Sequence, residues 1–97
     1  MRIISRAQLR ECWNIHPISK SALESWYYEV KHAEWGDWTD IKRHFPKVSP
    51  VGNDRYVFDI KGNDFRLVAL IKFKQKIVYI RFVGTHKEYN GINAGMV

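Results

Sequence analysis

Two stretches in the second half of the chain alternate between an apolar set and a more polar set of side chains. In the first stretch, the apolar set consists of Phe65, Leu67, Ala69, Ile71 and Phe73. In the second stretch, it consists of Val78, Ile80 and Phe82. A period of two is typical of β-strands with one buried face. The pattern therefore predicts strands over Phe65–Phe73 and Ile77–Val83.

The pairing of these two strands follows from the requirement that both apolar sets share one face of the sheet. Leaving either set in water would cost roughly 25 cal/mol for each Å² of apolar surface. A two-residue connection at Gln75–Lys76, with Lys74 opposite Ile77, meets this requirement. It leaves Arg66 and Arg81 together on the other face. A three-residue connection would swap the faces of the second strand and bury Arg81 among phenylalanines, so we predict the shorter one.

A third alternating stretch, Arg55–Ile60, comes before the other two and is followed by the turn residues Gly62–Asn63. The buried face is then expected to hold four large side chains: Phe58, Leu67, Ile80 and Phe82. A hairpin across this turn places Asp59 directly opposite Arg66. Opposite charges in such a cross-strand pair stabilise a sheet by about 0.2–1 kcal/mol. We therefore expect Asp59 to hold Arg66 in place.

The first third of the chain has the spacing of three and four residues that is typical of helices. The first apolar stripe consists of Leu9, Cys12 and Trp13, and the second of Ile18, Ala22, Leu23, Trp26, Val30 and Ala33. Ser5 is the expected N-cap of the first helix, and Pro17 separates the two helices. The predicted fold class is therefore α+β, with two N-terminal helices packed on one face of a small antiparallel sheet. We expect a single domain over residues 1–97.

Shorter elements are expected around this frame. Arg2–Ile4 is a minimal apolar run that would add a short strand to the sheet. Trp38–Phe45 is expected to form a short helix that Asp37 or Thr39 caps. The segment Lys47–Asp54 contains proline, glycine and asparagine and is expected to be a loop.

The chain is basic, with 16 Lys plus Arg against 10 Asp plus Glu and a net charge of +6. This balance favours a polyanionic partner, most simply nucleic acid, with an acidic membrane as the other option. No run reaches the ~18 apolar residues of a membrane span, and the N-terminus lacks the apolar core of a signal peptide. The single cysteine, Cys12, has no internal partner for a disulfide, which agrees with a reducing compartment. We therefore expect a cytoplasmic protein without membrane contact.

The face of the predicted sheet away from the core carries side chains that suit RNA. The residues expected to contact RNA are Lys61, Arg66, Lys72, Tyr79 and Arg81. Cleavage of RNA without a metal needs a base for the 2′-hydroxyl, an acid for the leaving 5′-oxygen, and positive charge at the phosphate. Arg66 and Arg81 suit the phosphate, because a guanidinium stays charged and grips two oxygens at once. His86, Lys87 and Tyr89, just after the last strand, are the candidates for proton transfer.

Other chemistries lack a motif in this chain. It contains no glycine-rich phosphate loop, no CxxC pair and no HExxH, and its four histidines are scattered. We therefore predict neither a metal site nor a cofactor. The candidate residues also have ordinary structural explanations: edge charges for the arginines, a strand cap for His86 and packing for Tyr89. Two other functions thus stay open, a non-catalytic RNA-binding module and a protein-interaction domain whose charge serves solubility.

Three segments resemble one family of bacterial toxins. YVFDIKGNDFRLV begins at Tyr56, YIRFVGTHKEYN begins at Tyr79, and a W-x-D-I-K-x-x-F-P pattern spans Trp38–Pro46. The F-x-I-x-G-N-x-[FY]-R-L strand pair and the terminal T-H-x-E-Y block are similar to those of the HigB toxins, within the wider RelE-like group of toxin–antitoxin systems. The likeness covers nearly the whole chain.

This resemblance implies a RelE-like fold and a ribosome-dependent mRNA endonuclease that inhibits translation. It also implies a HigA-like helix-turn-helix antitoxin as partner, with operator DNA contacted only through that antitoxin. The family's basic strand positions fall on Arg66 and Arg81, and its terminal functional block falls on His86, Lys87 and Tyr89. The assignment of acid and base among the last three stays open.

Overall fold

The computed structural model describes residues 1–97 and contains one five-stranded sheet with four α-helices. The strands are β1 (Arg2–Ile4), β2 (Ser49–Gly52), β3 (Arg55–Ile60), β4 (Phe65–Lys72) and β5 (Ile77–Thr85). The helices are α1 (Ala7–Ile15), α2 (Lys20–Lys31), α3 (Trp38–His44) and α4 (His86–Tyr89), with a turn of 3₁₀ helix at Pro17–Ser19. The predicted α+β fold class is confirmed. None of the helices has the length and apolar character needed to cross a membrane.

The strand order across the sheet is β1-β5-β4-β3-β2. The pairs β2–β3, β3–β4 and β4–β5 are antiparallel, whereas the expected N-terminal strand β1 runs parallel to β5. The sheet is therefore mixed. β1 pairs only with Ile77–Tyr79. Just beyond it, the side-chain amide of Gln8 donates to the Ile80 carbonyl at 2.8 Å, so α1 closes the next part of the β5 edge.

The β3–β4 hairpin has the predicted register. Ile60 lies opposite Phe65, and Asp59 lies opposite Arg66. Gly62 in the connecting turn has φ 65°, a left-handed conformation that glycine adopts without strain. The expected cross-strand pair of opposite charges is thus built into the hairpin.

The β4–β5 connection is longer than predicted. Ile77 lies opposite Lys72 rather than Lys74, so four residues rather than two join the strands. Because this shift equals two residues, it leaves the face of each side chain unchanged. Val78 and Ile80 are accordingly buried in the core, as predicted.

A bulge in β5 moves one predicted core residue to the opposite face. Ala69 lies opposite Ile80 but Val68 lies opposite Phe82, so Arg81 is an extra residue in the ladder. Beyond a bulge, the alternation of faces changes phase. The prediction that Phe82 lies in the main core is therefore wrong, because its ring packs in a second cluster on the other face. Arg81 stays exposed, as predicted.

Helices α1 and α2 pack together on one face of the sheet. The core between them and the strands includes Leu9, Cys12, Leu23, Trp26, Val30, Phe58, Leu67, Ala69, Ile71, Val78 and Ile80. Two expected details are wrong. Ile18 is 66% exposed, because it lies in the 3₁₀ turn before the α-helical spacing begins. Ser5 does not cap α1, since the residue before that helix is Arg6 and no side chain caps it.

The segment between α3 and β3 differs from the predicted loop. α3 begins after Asp37, whose carboxylate caps it as expected. Lys47–Asp54 then contains β2, which pairs with β3 only at residues 55–57. The proline and glycine of β2 are typical of turns and concealed the strand, although an edge strand accommodates both. Phe58–Ile60 therefore extend beyond the edge neighbour of β3.

The face of the sheet away from α1 and α2 is partly covered. A second apolar cluster there consists of Val57, Val68 and Ala94, with Val51, Phe82, Tyr89, Ile92 and Val97 packed against it. The C-terminal residues thus lie against the middle of this face. Val68 separates Arg66 from Lys72 along β4. The second apolar cluster therefore separates the predicted RNA-contacting residues into two groups, one at each end of this face.

Candidate functional site

Arg66 is held by a short ion pair at one end of this face. Its Nη1 donates to Asp59 Oδ1 at 2.6 Å, as the cross-strand register predicts. The two side chains are only 19% and 22% exposed, and Arg66 Nε is buried without a partner. Shielding from water strengthens the attraction relative to that of an exposed pair. The guanidinium is therefore oriented before any ligand arrives.

Helix α4 is fixed at its start by a capping box. The Thr85 N–H donates to Glu88 Oε1 at 2.8 Å, and the Glu88 N–H donates to Thr85 Oγ1 at 3.1 Å. The His86 N–H donates to the carbonyl of Asp64, in the β3–β4 turn, at 3.1 Å. These bonds fix the backbone from which the three candidate proton-transfer side chains project. His86 is half-buried and Lys87 is exposed.

The carboxyl of Glu88 is stabilised in its charged form. The bond from the Thr85 N–H is the main cause that lowers the pKa of Glu88 below its ordinary value of 4.5. Partial burial opposes this change, while the Thr85 hydroxyl and the nearby His16 add to it. His16 Nε2 lies 3.8 Å from Glu88 Oε1, which connects α4 to the end of α1. The capping box is therefore charged at neutral pH.

Tyr89 lies against Arg66. The Cζ of Arg66 is 5.5 Å from the centroid of the Tyr89 ring, within the range of a cation–π contact. The Phe82 ring packs against Tyr89 with 6.4 Å between centroids. The bulge that moved Phe82 out of the main core thus supplies packing for Tyr89.

Arg81 lies in the bulge, near the middle of the same face. Its Nε donates to the carbonyl of Val97 at 3.2 Å, and Arg55 Nε donates to that carbonyl at 2.8 Å. The terminal nitrogens of Arg81 make no hydrogen bond and remain able to bind an anion. The bulge lies beside Val68 of β4, and Val68 is two residues from Arg66. Two residues of a strand span roughly 7 Å.

The remaining predicted RNA-contacting residues are spread more widely. Lys72 Nζ lies 2.8 Å from Asp54 Oδ2 at the far end of β4, beyond the apolar cluster. Tyr79 is also at that end, two residues from Ile77 in the last pair of β4 and β5. Lys61 Nζ lies 3.8 Å from Asp64 Oδ2 in the β3–β4 turn, close to the start of α4. The structure thus brings Arg66, Tyr89 and the α4 backbone together and places Lys72 and Tyr79 apart from them.

Three positioning residues near α4 were missed in the sequence. Thr85 and Glu88 match the S/T-x-x-E pattern of a capping box, so a signal for them was present. Gly84 lies where the chain leaves the sheet, and a Cβ there would be 2.8 Å from both Glu88 Oε1 and Phe82 Cζ. No local pattern reveals that close approach, because it depends on the bulge.

Known proteins match this chain over most of its length. The model of the HigB_toxin family, a RelE-like toxic component of a toxin-antitoxin system, matches residues 19–92. A protein of Escherichia coli O6:H1 named mRNA interferase HigB is 32% identical over 92 residues, covering 93% of this chain and 89% of the relative. The mRNA interferase toxin HigB of Escherichia coli K12 is 29% identical over 96 residues, covering 97% and 92%. The mRNA interferase HigB of Shigella flexneri gives the same figures.

Proposed function

Since this chain belongs to the HigB family, the RelE-like toxic component of a toxin-antitoxin system, we propose that it is an mRNA interferase that cuts translated mRNA without a metal ion. Its relatives carry the name mRNA interferase. The basic charge of +6 suits a polyanionic substrate. The proposed site is the end of the sheet where Arg66 and helix α4 meet, together with Arg81 near the middle of the same face.

The observation that carries this proposal is the contact of Arg66 with both Asp59 and Tyr89. It places a fixed positive charge beside a group that is able to exchange protons, on a half-buried surface next to α4. Positive charge that is oriented in advance stabilises a phosphate in the transition state without reorganisation. The ordinary explanation of Arg66 as an exposed edge charge does not fit a side chain that is 19% exposed.

In the proposed reaction, the 2′-oxygen attacks the adjacent phosphorus and the bond from phosphorus to the 5′-oxygen breaks. The 2′-hydroxyl gives its proton to a base, and an acid protonates the leaving 5′-oxygen. The products are a 2′,3′-cyclic phosphate and a 5′-hydroxyl. Arg81 and Arg66 stabilise the charged phosphate, and His86, Tyr89 and Lys87 share the two proton transfers. Histidine suits such a role because its unperturbed pKa is about 6.5.

The partners follow from the family and the proposed substrate. A toxic component of a toxin–antitoxin system has an antitoxin as its partner. We propose that this antitoxin is a HigA-like helix-turn-helix protein, and that operator DNA is contacted only through it. The ribosome presents the mRNA, which places the activity in the cytoplasm. Lys61, Lys72 and Tyr79 are the proposed further contacts to RNA.

The test is induction of the chain in a bacterial host, with growth and the ends of mRNA fragments followed over time. We expect growth arrest and fragments that end in a 2′,3′-cyclic or 3′-phosphate. Arg81→Ala should abolish both, whereas Arg10→Ala, which changes an exposed arginine on α1, should abolish neither. Fragments with 3′-hydroxyl ends would contradict the metal-free reaction. Salt-sensitive RNA binding without any cleavage would instead indicate a non-catalytic RNA-binding module.

A further inference from the structure

Arg55 and Arg81 converge on one backbone oxygen of the C-terminal segment. The Nε atoms of both side chains donate to the carbonyl of Val97, at 2.8 Å from Arg55 and 3.2 Å from Arg81. Arg55 Nη1 also donates to the carbonyl of Asn53 at 2.9 Å, which orients its guanidinium from the side of the β2–β3 turn. Neither arginine takes part in an ion pair. Two positive charges therefore lie close together with a neutral oxygen between them.

A phosphate oxygen is a better partner for these two guanidiniums than the neutral Val97 carbonyl. It adds a charge attraction to each guanidinium and offsets the repulsion between the two. The fork of donors on a guanidinium also matches the geometry of a phosphate. Arg81 is exposed and Arg55 is half-buried, so a phosphate from solution is able to reach both. The position of the Val97 oxygen therefore marks a site where a single phosphate would contact both arginines.

Residues 93–97, which we name the strap, are held on the sheet by few contacts besides the two arginines. Asn53 Nδ2 donates to the carbonyl of Gly95 at 2.8 Å. Ala94 and Val97 are the only side chains of the strap in the second apolar cluster. Because an alanine and a valine bury little apolar area, this packing stabilises the docked strap only modestly. The main core contains no residue of the strap, so the strap is able to leave the sheet without disturbing that core.

We propose that the strap occupies a phosphate-binding site formed by Arg55 and Arg81, and that a phosphate group of the RNA backbone displaces it. This inference rests on the proposed function, since the ligand is the same RNA. It adds Arg55 as a phosphate contact and the strap as an internal competitor. The docked strap and the bound phosphate exclude one another, because both need the same two guanidiniums. RNA affinity therefore depends on how firmly the strap is held.

Two substitutions loosen the strap without changing either arginine. Gly95→Ala places a Cβ 2.7 Å from the backbone oxygen of Val51, which forces the strap away from β2. Asn53→Gly removes the amide that holds Gly95, and glycine retains the left-handed φ of 52° at this position. Gly91→Ala is the matched control, because its Cβ would lie at an ordinary contact distance of 3.5 Å from the Glu88 carbonyl oxygen.

Affinity for a 2′-O-methyl RNA oligonucleotide, which lacks the hydroxyl needed for cleavage, measures this competition. Gly95→Ala and Asn53→Gly should each raise the affinity about three- to tenfold, because the RNA has fewer strap contacts to break. Gly91→Ala should leave it unchanged. Arg55→Gln should lower the affinity and reduce the effect of either strap substitution to less than about twofold, since the shared site is lost. Unchanged or lower affinity in both folded strap variants would overturn the proposal.

The NMR signals of the Nε–H groups of Arg55 and Arg81 report the exchange of partners directly. The oligonucleotide should shift both signals together with the amide signals of residues 95–97, and inorganic phosphate at the same phosphate concentration should shift them far less. An equal response to inorganic phosphate would identify a site for the free ion and overturn the assignment to RNA. Cleavage of mRNA by a chain whose strap signals do not respond to RNA would exclude the strap and leave the proposed function intact. Displacement of the strap by RNA in a chain that cuts no mRNA would support the strap and exclude the proposed function.

Discussion

At the scale of single residues, Arg66 and Tyr89 show how positioned side chains differ from surface charges. Arg66 has one carboxylate at 2.6 Å and one aromatic ring at 5.5 Å, so two elements determine where its charge lies. Lys61 and Lys72 have carboxylate partners too, but their side chains are 45% and 46% exposed. Exposed pairs of this kind contribute little to stability. A lysine in such a pair easily replaces its carboxylate partner by a phosphate. We therefore expect the two lysines to contribute to RNA binding and Arg66 to act in the reaction.

Substitution of Tyr89 separates its hydroxyl group from its ring. Tyr89→Phe keeps the contacts with Arg66 and Phe82 but cannot transfer a proton, so mRNA cleavage should fall about 10²- to 10⁴-fold with little change in Tm. Tyr89→Ala should lower both. Tyr28→Phe, at an exposed position on α2, is the matched control. Full activity of Tyr89→Phe would leave His86 and Lys87 as the proton-transfer groups.

Removal of Asp59 should destabilise the fold more than removal of an exposed acid. Asp59→Ala leaves the mostly buried guanidinium of Arg66 without its partner, so the free energy of unfolding should fall by about 1.5–3 kcal/mol. Asp64→Ala removes the 62% exposed partner of Lys61 and should change it by less than about 0.5 kcal/mol. Urea denaturation of the two variants measures this difference. Equal losses would mean that the Arg66 pair is no stronger than a surface pair.

At the scale of elements, the bulge in β5 and helix α4 together form the site. The bulge turns Phe82 toward Tyr89, and the capping box fixes the start of α4. α4 has only four residues, too few to form a stable helix alone. Its position therefore depends on the Thr85–Glu88 bonds and on the bond from His86 to the β3–β4 turn.

The charge of Glu88 makes the start of α4 sensitive to acid. The pKa of Glu88 is lowered by folding, so its contribution to stability is present above 4.5 and is lost as the pH falls through the folded-state pKa. The Glu88 carboxyl should titrate below 4.5, and the Thr85 amide signal should shift with the same midpoint in NMR spectra. Glu88→Gln retains an acceptor for the Thr85 N–H and should abolish that shift. A midpoint at or above 4.5 would contradict the capping-box explanation.

At the scale of the whole molecule, we expect the net charge of +6 to act on RNA binding and the positioned groups to act on cleavage. The second apolar cluster lies in the middle of the sheet face away from α1 and α2. Lys72 and Tyr79 lie on its far side and are therefore away from α4. Long-range attraction does not require a contiguous surface, since a phosphate within about 10 Å of a charge experiences its field. We therefore expect both ends of the face to contribute to RNA affinity.

RNA affinity should accordingly fall steeply as salt rises, because bound phosphates release counterions. Lys72→Gln should weaken binding uniformly across sequences and lower the salt slope by about one, while cleavage of bound RNA continues. Filter binding over a series of salt concentrations measures the slope, with Lys20→Gln on α2 as the control. An unchanged slope in Lys72→Gln would place the RNA away from the far end of β4.

The sequence by itself determined the features that depend on local periodicity. The alternation of apolar and polar side chains predicted β3 and β4, and helical spacing predicted α1 and α2. The turn between β3 and β4 predicted the pair of Asp59 with Arg66. Burial of apolar side chains enforces these patterns, because a slip of one residue would expose a whole face. The quoted motifs likewise identified the family that the comparisons established.

The tertiary structure decided the features that depend on contacts between distant segments. The bulge at Arg81 reverses which side chains of β5 face the main core. This reversal costs little free energy, because Phe82 packs in the second apolar cluster instead of the main core. The segment that ends at Val97 covers part of the sheet, and β2 pairs despite its proline and glycine. Whether His86, Lys87 and Tyr89 share a reaction with Arg66 stays a prediction. The placement of Tyr89 next to Arg66 comes from the bulge and the capping box, which gain their stability only when the strands, α4 and the C-terminal segment are assembled.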